Sequence, residues 1–325
     1  MSGAGAGRAA GDAEARARGP ILVTARDAPA LRAAAERALG ASLPWVEPDD
    51  PRAAEAVVWF ASSAPPDPPL RLPALEWIHS GWAGVDRWLG RPEWGAGVTL
   101  TRTVADFPER IAAYVMAHLL AEALDLPRAW RQQEARRWSR WTPGTLAGTT
   151  MLIVGHGAIG RAVAGAARGF GIAVRGVRRG PVTAEERAAG VEEAGALERL
   201  LPEADIVVNL LPATPETDGF WSAARFARLK RGAVFVNASR GRCVDEGALL
   251  AALDADPGAR AILDVFREEP LPEGHPFWSH PRVRVTPHVA GIGTPDSEGR
   301  AFAENWPRWT SGAPLLHVVE RDRGY

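Results

Sequence analysis

Short apolar runs alternate with longer amphipathic stretches along most of the chain. Strands are predicted at residues 21–23, 56–60 and 75–78, and further along at 151–154, 172–177, 206–210, 234–237, 261–265 and 283–285. Helices are predicted at 29–39, 109–126 and 158–170, whereas the proline-dense residues 64–69 predict a loop. Strands that alternate with helices form parallel sheets, so the pattern predicts an α/β protein.

A glycine-rich turn directly follows the predicted strand at 151–154. Its sequence, GHGAIG, matches G-x-G-x-x-G with Gly155, Gly157 and Gly160. The first glycine permits a tight turn, the second lets the backbone approach a pyrophosphate, and the third allows close helix–strand packing. Ala158 and Ile159 open the next helix, whose N-terminus offers amide donors. The pattern predicts a dinucleotide-binding domain; the alternative is a glycine-rich turn without a ligand.

The end of the following strand bears on the choice of cofactor. Domains of this kind that bind NAD carry an Asp or Glu about 20 residues further on, which binds the ribose 2′-hydroxyl. Here the strand ends in Arg178 and Arg179, with no carboxylate. Guanidinium groups can clamp a 2′-phosphate, which an acid would repel. The sequence therefore favours NADP(H) and keeps NAD(H) as the second choice; the alternative is that both arginines lie on a solvated loop.

Polar residues follow three later strands. Arg240 comes after the strand at 234–237, Glu268 and Glu269 after that at 261–265, and His288 after that at 283–285. Open parallel sheets bind ligands at the carboxyl ends of their strands, so these side chains are expected to converge on one crevice. Taken singly, each residue is better explained by a structural role.

Composition and charge exclude several classes of protein. The 325 residues carry a formal net charge of −1 without a long basic run, which argues against nucleic-acid binding. No apolar stretch approaches the roughly 18 residues that a membrane span needs, so no membrane partner is expected. The single cysteine, Cys243, excludes an intrachain disulfide and fits a reducing, cytoplasmic setting. Residues 1–19 are predicted to be a disordered tail.

From about residue 75 to the C-terminus the chain resembles the D-isomer-specific 2-hydroxyacid dehydrogenases. The segments that carry the resemblance are GHGAIG (155–160), LPATPET (211–217), NASRGRCVDEGAL (237–249), DVFREEPLP (264–272), HPFW (275–278) and TPHVAG (286–291). Their order and spacing match the family. Within it, the chain is most similar to the glyoxylate/hydroxypyruvate reductase branch.

The resemblance implies an Arg–Glu–His site. Arg240 would bind the substrate carboxylate and polarise the C2 carbonyl, and His288 would protonate the carbonyl oxygen. Glu269, the acid directly before proline, would orient the imidazole and keep it protonated.

The resemblance also implies binding contacts. In the substrate turn these are Trp82, Ala83 and Gly84, with the bulky Trp82 narrowing the pocket toward small acids. The implied cofactor contacts, besides Arg240, His288 and the residues named at the glycine turn and the following strand, are Leu211, Pro212, Thr217, Ala238, Ser239, Asp264 and Gly291. Asp264 would contact the nicotinamide carboxamide.

Two Rossmann-like domains with doubly wound parallel sheets are implied, the substrate domain being split around an inserted dinucleotide-binding domain. We expect a flavodoxin-like substrate domain at 20–104 and 290–325 and the NAD(P)-binding domain at 105–289. Helices at 109–124 and 294–306 would cross between them. The tryptophan-bearing segment 130–141 is expected to be a homodimer contact; the alternative is a loop packed on its own subunit.

The implied activity is NADPH-dependent reduction of a small 2-oxoacid, such as glyoxylate or hydroxypyruvate, to the D-2-hydroxyacid. Two alternatives stay open: an NAD-dependent dehydrogenase of another acid such as a phosphoglycerate, and a non-catalytic nucleotide sensor or corepressor. The set of Arg240, Glu269 and His288 argues against a sensor, because a sensor needs no proton donor.

Overall fold

A computed structural model describes residues 19–322 of the chain. The predicted tail at 1–19 therefore falls, except for its last residue, outside the described residues. The strands are β1 Ile21–Ala25, β2 Trp45–Val46, β3 Val58–Ser62, β4 Trp77–Ser80, β5 Thr99–Arg102, β6 Thr150–Val154, β7 Ala173–Arg178, β8 Val191–Glu193, β9 Ile206–Asn209, β10 Val234–Asn237, β11 Arg260–Leu263 and β12 Val283–Val285. The α-helices are α1 Ala28–Leu39, α2 Phe107–Leu124, α3 Leu126–Glu134, α4 Ala158–Arg168, α5 Ala184–Ala188, α6 Leu197–Leu200, α7 Ala223–Phe226, α8 Glu246–Ala255 and α9 Pro295–Ser311.

The described residues form two compact units. The first ends at Phe107 and resumes at Gly293, and the second is Pro108–Ile292. Each domain boundary expected from the sequence lies three residues before the observed one.

The first unit is built on a five-stranded parallel sheet in the order β2-β1-β3-β4-β5, the flavodoxin-like order. Successive residues of β1 face opposite sides of this sheet: Leu22 packs into one core cluster, and Ile21 and Val23 into the other. A parallel sheet covered on both faces needs such continuous apolar runs, which is why this strand is readable from the sequence.

Aromatic rings fill the core beneath α9. Phe302 stacks on Phe60 at 4.7 Å and on Trp77 at 5.2 Å between ring centroids. His79 is fully buried beside them, with Nδ1 2.8 Å from the hydroxyl oxygen of Thr101. Burial lowers the pKa of His79 to about 3, so this imidazole is neutral and structural.

The second unit contains a seven-stranded parallel sheet in the order β12-β11-β10-β9-β6-β7-β8. Renumbered from β6, this is the doubly wound order 3-2-1-4-5-6 with one further strand at the edge, a Rossmann-type sheet. Apolar clusters cover both of its faces. The predicted class, an α/β protein with two Rossmann-like parallel sheets, is confirmed.

Three short strands and the ends of two helices differ from the predictions. β2 and β8 have two and three residues, and β5 has the sequence TLTR, so none carries a recognisable apolar run. The helix predicted at 109–126 ends at Leu124, because Asp125 adopts a left-handed conformation and its side chain caps α3. The last helix continues to Ser311 with Pro307 inside it.

No helix among residues 19–322 is long and apolar enough to cross a membrane. In the same residues, no group of three or more His, Cys, Asp or Glu side chains is arranged to hold a metal ion.

A buried carboxyl group near the start of α9 gives the first unit a pH-dependent stability. Burial raises the pKa of Glu298 from 4.5 to about 7, although a hydrogen bond from Ser62 lowers it and Asp106 raises it further. The folded state therefore retains a proton that the unfolded chain releases above about pH 4.5. The free energy of unfolding falls as the pH rises through this window, by about 3 kcal/mol at most.

We expect Glu298→Gln to remove this loss. Between pH 5 and pH 8 the variant should gain about 2–3 kcal/mol relative to the unmodified protein, as measured by denaturant unfolding at both pH values. Glu304→Gln, an exposed substitution on the same helix, is the control and should leave most of the pH dependence in place, since Glu304 acts only as a minor charge on His317. Equal pH dependence in all three proteins would contradict the assignment.

Candidate active site

The glycine-rich turn joins β6 to α4. Gly155 has φ +101°, and a Cβ atom there would lie 2.7 Å from the carbonyl oxygen of Leu210. A Cβ on Gly160 would lie 3.0 Å from the carbonyl oxygen of Gly155 and 3.2 Å from Cγ2 of Ile153. The turn therefore requires glycine at position 155, and the close approach of helix to strand favours glycine at position 160, where a side chain would be tightly packed.

Gly157 differs from its neighbours in the turn. A Cβ atom added there meets no other heavy atom within 4 Å, so it would project into the space before the helix N-terminus. Ala158 begins α4, and Ile159 follows in its first turn, where the amides have no partners within the helix. This space, with the positive end of the helix dipole behind it, fits a pyrophosphate group.

Arg178 and Arg179 lie at the end of β7, as predicted from the sequence, and an acid pairs with Arg178. Nη1 of Arg178 donates to Oε1 of Glu186 at 2.8 Å, and Arg179 is exposed. Sequence reasoning missed Glu186 because it comes from α5, eight residues further along. The available signal was the T-x-x-E capping box that it forms with Thr183.

Buried asparagines hold the loops that follow β9 and β10. Nδ2 of Asn209 donates to Oδ1 of Asn237 at 3.0 Å and to Oγ of Ser239 at 3.1 Å, with both asparagines at most 1% exposed. In the loop that follows β9, which begins with Leu210, the Thr217 hydroxyl donates to the carbonyl oxygen of Pro212 at 2.6 Å. These bonds fix the loops that carry the remaining predicted contacts there, Leu211 and Ala238.

Arg240 lies on the loop after β10, which packs against the loop after β11. Its carbonyl oxygen accepts from Nδ2 of Asn237 at 3.1 Å, and its Nη1 donates to the carbonyl oxygen of Ser239 at 2.7 Å. A Cβ on the next residue, Gly241, would lie 1.9 Å from the carbonyl carbon of Phe266. Only glycine allows this approach, which brings the loop of Arg240 against the loop of Glu269.

Glu269 and His288 form a direct pair. Nδ1 of His288 lies 2.8 Å from Oε2 of Glu269, while Oε1 accepts from the backbone N–H of Phe266 at 3.0 Å. Burial raises the pKa of Glu269, but the hydrogen bonds from His288 and Phe266 and the charge of Arg240 outweigh it and lower the pKa. The carboxylate is therefore ionised at neutral pH and fixes the imidazole through Nδ1, which directs chemistry to Nε2.

The loop that carries His288 is held by Asp264, which is 1% exposed. Its carboxylate accepts from the backbone N–H groups of Val289 and Ala290, at 2.9 and 2.8 Å, and from the hydroxyl of Thr286 at 2.6 Å. His288 itself has φ +54°, an uncommon conformation for a residue with a side chain. Asp264 therefore holds the backbone of the proton-donor candidate, a role that the sequence did not indicate.

A second support for this loop comes from α2. The Tyr114 hydroxyl lies 2.7 Å from the Thr286 hydroxyl oxygen, so tyrosine, threonine and Asp264 form a continuous chain of hydrogen bonds. Gly291, another predicted contact, follows the part of the loop that Asp264 holds and is half-buried. Tyr114 was not predicted from the sequence, because its partner Thr286 is 172 positions away.

The predicted substrate turn belongs to the first unit. Trp82 donates its backbone N–H to the Ser80 hydroxyl at 3.2 Å, and the carbonyl oxygen of Ala83 accepts from Nη1 of Arg102 at 3.1 Å. The guanidinium of Arg87 lies 5.1 Å from the centre of the Trp82 ring. Trp82, Ala83 and Gly84 are all half-buried, so the turn is both anchored and accessible.

A glycine turn shaped for a pyrophosphate, with arginine, glutamate and histidine on neighbouring loops, is typical of an oxidoreductase that uses a nicotinamide dinucleotide. Residues 116–290, more than half of the chain, match the model of the family described as D-isomer specific 2-hydroxyacid dehydrogenase, NAD binding domain. The chain belongs to this family and is an NAD(P)-dependent oxidoreductase.

Individual relatives support the same assignment. A glyoxylate/hydroxypyruvate reductase A from Yersinia enterocolitica is 33% identical over 294 residues, which cover 86% of this chain and 90% of the relative. A D-isomer specific 2-hydroxyacid dehydrogenase from Xanthobacter autotrophicus, solved in complex with NADPH and MES, is 34% identical with a TM-score of 0.83 over 95% of this chain and 100% of the other. An NADPH-dependent glyoxylate/hydroxypyruvate reductase from Sinorhizobium meliloti, solved with NADP and sulfate, is 33% identical with a TM-score of 0.79 over 94% and 99%.

Proposed function

We propose that the protein reduces a small 2-oxoacid, of the glyoxylate or hydroxypyruvate kind, to the D-2-hydroxyacid with NADPH. The observation that carries this proposal is the hydrogen bond of 2.8 Å between Glu269 and His288. Glu269 lies on the loop that packs against the loop of Arg240. A proton donor with an ionised partner and a carboxylate-binding guanidinium are what carbonyl reduction of a 2-oxoacid requires. The names of the Yersinia and Sinorhizobium relatives support the same substrate class.

Each catalytic residue has a distinct task in this proposal. Arg240 binds the substrate carboxylate through its two-pronged guanidinium and polarises the C2 carbonyl. Reduced nicotinamide, when bound, supplies the hydride to C2. His288 donates the proton from Nε2 to the carbonyl oxygen, and Glu269 holds Nδ1 so that the ring presents that nitrogen. The backbone amides of Ala83 and Gly84, in the predicted substrate turn, would also bind the substrate carboxylate, whereas that of Trp82 donates to Ser80.

The cofactor proposal is NADP(H) in preference to NAD(H). Arg178 and Arg179 would hold the 2′-phosphate, and the NADPH and NADP complexes of relatives support this preference. Gly155, Gly157 and Gly160, with the amides of Ala158 and Ile159, would hold the pyrophosphate. The other proposed cofactor contacts are Leu211, Pro212, Thr217, Ala238, Ser239, Arg240, Asp264, His288 and Gly291.

The proposed assembly is a homodimer. Trp130, in α3, is 56% exposed, and Trp138, after this helix, is 90% exposed. α3 itself has no buried residue. Large exposed aromatic side chains of this kind are enriched in protein–protein interfaces, which supports the segment 130–141 as a subunit contact. Its homodimer role stays a prediction, to be checked by light scattering of the purified protein.

The proposed function is tested by the loss of absorbance at 340 nm with a panel of 2-oxoacids. We expect NADPH oxidation with glyoxylate or hydroxypyruvate, weaker activity with pyruvate and branched oxoacids, and slower rates with NADH. Turnover with NADH alone would favour the phosphoglycerate-type alternative. No turnover with any acid, in a protein that binds NADPH, would contradict catalysis and favour the nucleotide sensor.

A further inference from the structure

Two arginines converge on one carboxylate at the carboxyl end of β7. Oε1 of Glu186 lies 2.8 Å from Nη1 of Arg178 and 4.0 Å from Nη1 of Arg161, which follows the last glycine of the phosphate turn. The Glu186 side chain is 18% exposed and that of Arg178 is 32% exposed. Glu186 therefore forms an ion pair with Arg178, the residue whose guanidinium would bind the cofactor's 2′-phosphate in the proposed function.

The position of Glu186 is fixed by its own turn. Its Oε2 accepts from the backbone N–H of Thr183 at 3.1 Å, and its backbone N–H donates to the Thr183 hydroxyl at 3.1 Å. This reciprocal capping box orders the carboxylate at the start of α5. The hydrogen bond from Thr183 and the charges of the two arginines lower the pKa of Glu186, so the acid is ionised at neutral pH.

The surrounding charges leave the arginines in excess. Arg179 is exposed, and its charge contributes to lowering the pKa of Glu216, after a hydrogen bond from Thr214. His156 lies beneath the turn, where burial and the charge of Arg161 lower its pKa, so it adds no positive charge at neutral pH. A phosphate dianion is thus attracted by the three arginines Arg161, Arg178 and Arg179, but it must compete with Glu186 for Arg178.

We propose that Glu186 is a specificity-determining residue, a resident counter-ion that competes with the cofactor's 2′-phosphate for Arg178 and thereby limits the preference for NADP(H) over NAD(H). The inference rests on the proposed function, in which Arg178 binds that phosphate. NAD(H), which carries a 2′-hydroxyl, leaves the pair of Glu186 and Arg178 intact. NADP(H) must displace the carboxylate from the guanidinium, so part of the gain from the new contact is lost.

The experiment compares two probes that lack nicotinamide, adenosine 2′,5′-bisphosphate and adenosine 5′-monophosphate, by titration calorimetry. Glu186→Gln removes the charge but keeps an amide oxygen for the capping box, in which Gln serves as well as Glu. The variant should bind the bisphosphate about fivefold more tightly, the factor that corresponds to an exposed ion pair at the upper end of the usual range. Its affinity for the monophosphate should not change.

Glu185→Gln is the matched control. It makes the same charge change one residue earlier on α5, from an exposed side chain that forms no ion pair within residues 19–322. The control should alter neither affinity. In steady-state assays Glu186→Gln should lower the KM for NADPH by a similar factor, with kcat and the KM for NADH unchanged.

The outcomes separate this inference from the proposed function. If the unmodified protein prefers the bisphosphate but Glu186→Gln leaves its binding unchanged, weakens it, or strengthens both probes equally, the counter-ion role is overturned and the cofactor assignment stands. If the unmodified protein binds both probes equally well, the 2′-phosphate site itself is misassigned, and the inference falls with it.

Discussion

Replacing His288 by glutamine is expected to lower kcat for 2-oxoacid reduction about 10³-fold, with a much smaller effect on NADPH binding, to which His288 contributes one of many proposed contacts. The amide side chain can keep a hydrogen bond with Glu269, but it cannot deliver a proton to the carbonyl oxygen as the hydride arrives. Single-turnover measurements at 340 nm would give the rate of the chemical step, and a fluorescence titration would give NADPH affinity.

His280→Gln is the control for this substitution. His280 precedes β12, at the amino end of the strand, whereas His288 follows its carboxyl end. Nε2 of His280 lies 3.4 Å from the exposed Asp254. The control should keep kcat within about twofold of the unmodified enzyme, since His280 lies at the opposite end of β12 from the proposed site. A His288→Gln variant with normal single-turnover rates would show that another group or water protonates the substrate.

Much of the fold follows from local patterns. The run Met151–Val154 before a glycine turn and the strand that ends at Asn237 are apolar and largely buried on both faces, and both appear where predicted. The strand that ends at Val285 also appears where predicted, although only its first residue is buried. β5 could not be predicted because its sequence, TLTR, has no apolar run. It forms a strand by pairing with β4, in a register that sets Thr99 opposite Trp77. Tertiary pairing, rather than propensity, decides such strands.

The candidate site divides in a similar way. Gly155 is required, and Gly160 is favoured, by contacts within the turn, with its strand or with Leu210 just after β9, so a local motif reveals both glycines. Glu186 beside Arg178, and Tyr114 beside Thr286, are brought together only by the fold. No spacing rule links residues 172 positions apart, whereas a hydrogen bond of 2.7 Å does so directly.

Arg240→Ala is expected to lower kcat/KM for glyoxylate about 10³-fold, the upper range for removal of one electrostatic contact to the reacting carbonyl. In the proposed mechanism, the substitution removes both the ligand of the substrate carboxylate and the positive charge beside the carbonyl oxygen, on which negative charge develops. Arg240→Lys should recover only part of the loss, because a point charge lacks the paired donors that match a carboxylate. Initial rates at saturating NADPH would measure both variants.

Arg242→Ala provides the matched control, since this arginine lies two residues further along the same loop with a side chain that is 67% exposed and bound to Asp218 at 2.9 Å. Its loss should change kcat/KM by no more than about threefold, in line with a surface pair. Binding of adenosine 2′,5′-bisphosphate should be the same in all three variants, which separates substrate recognition from damage to the cofactor domain. If Arg240→Ala retained efficiency within threefold, Arg240 would not be the ligand of the substrate carboxylate.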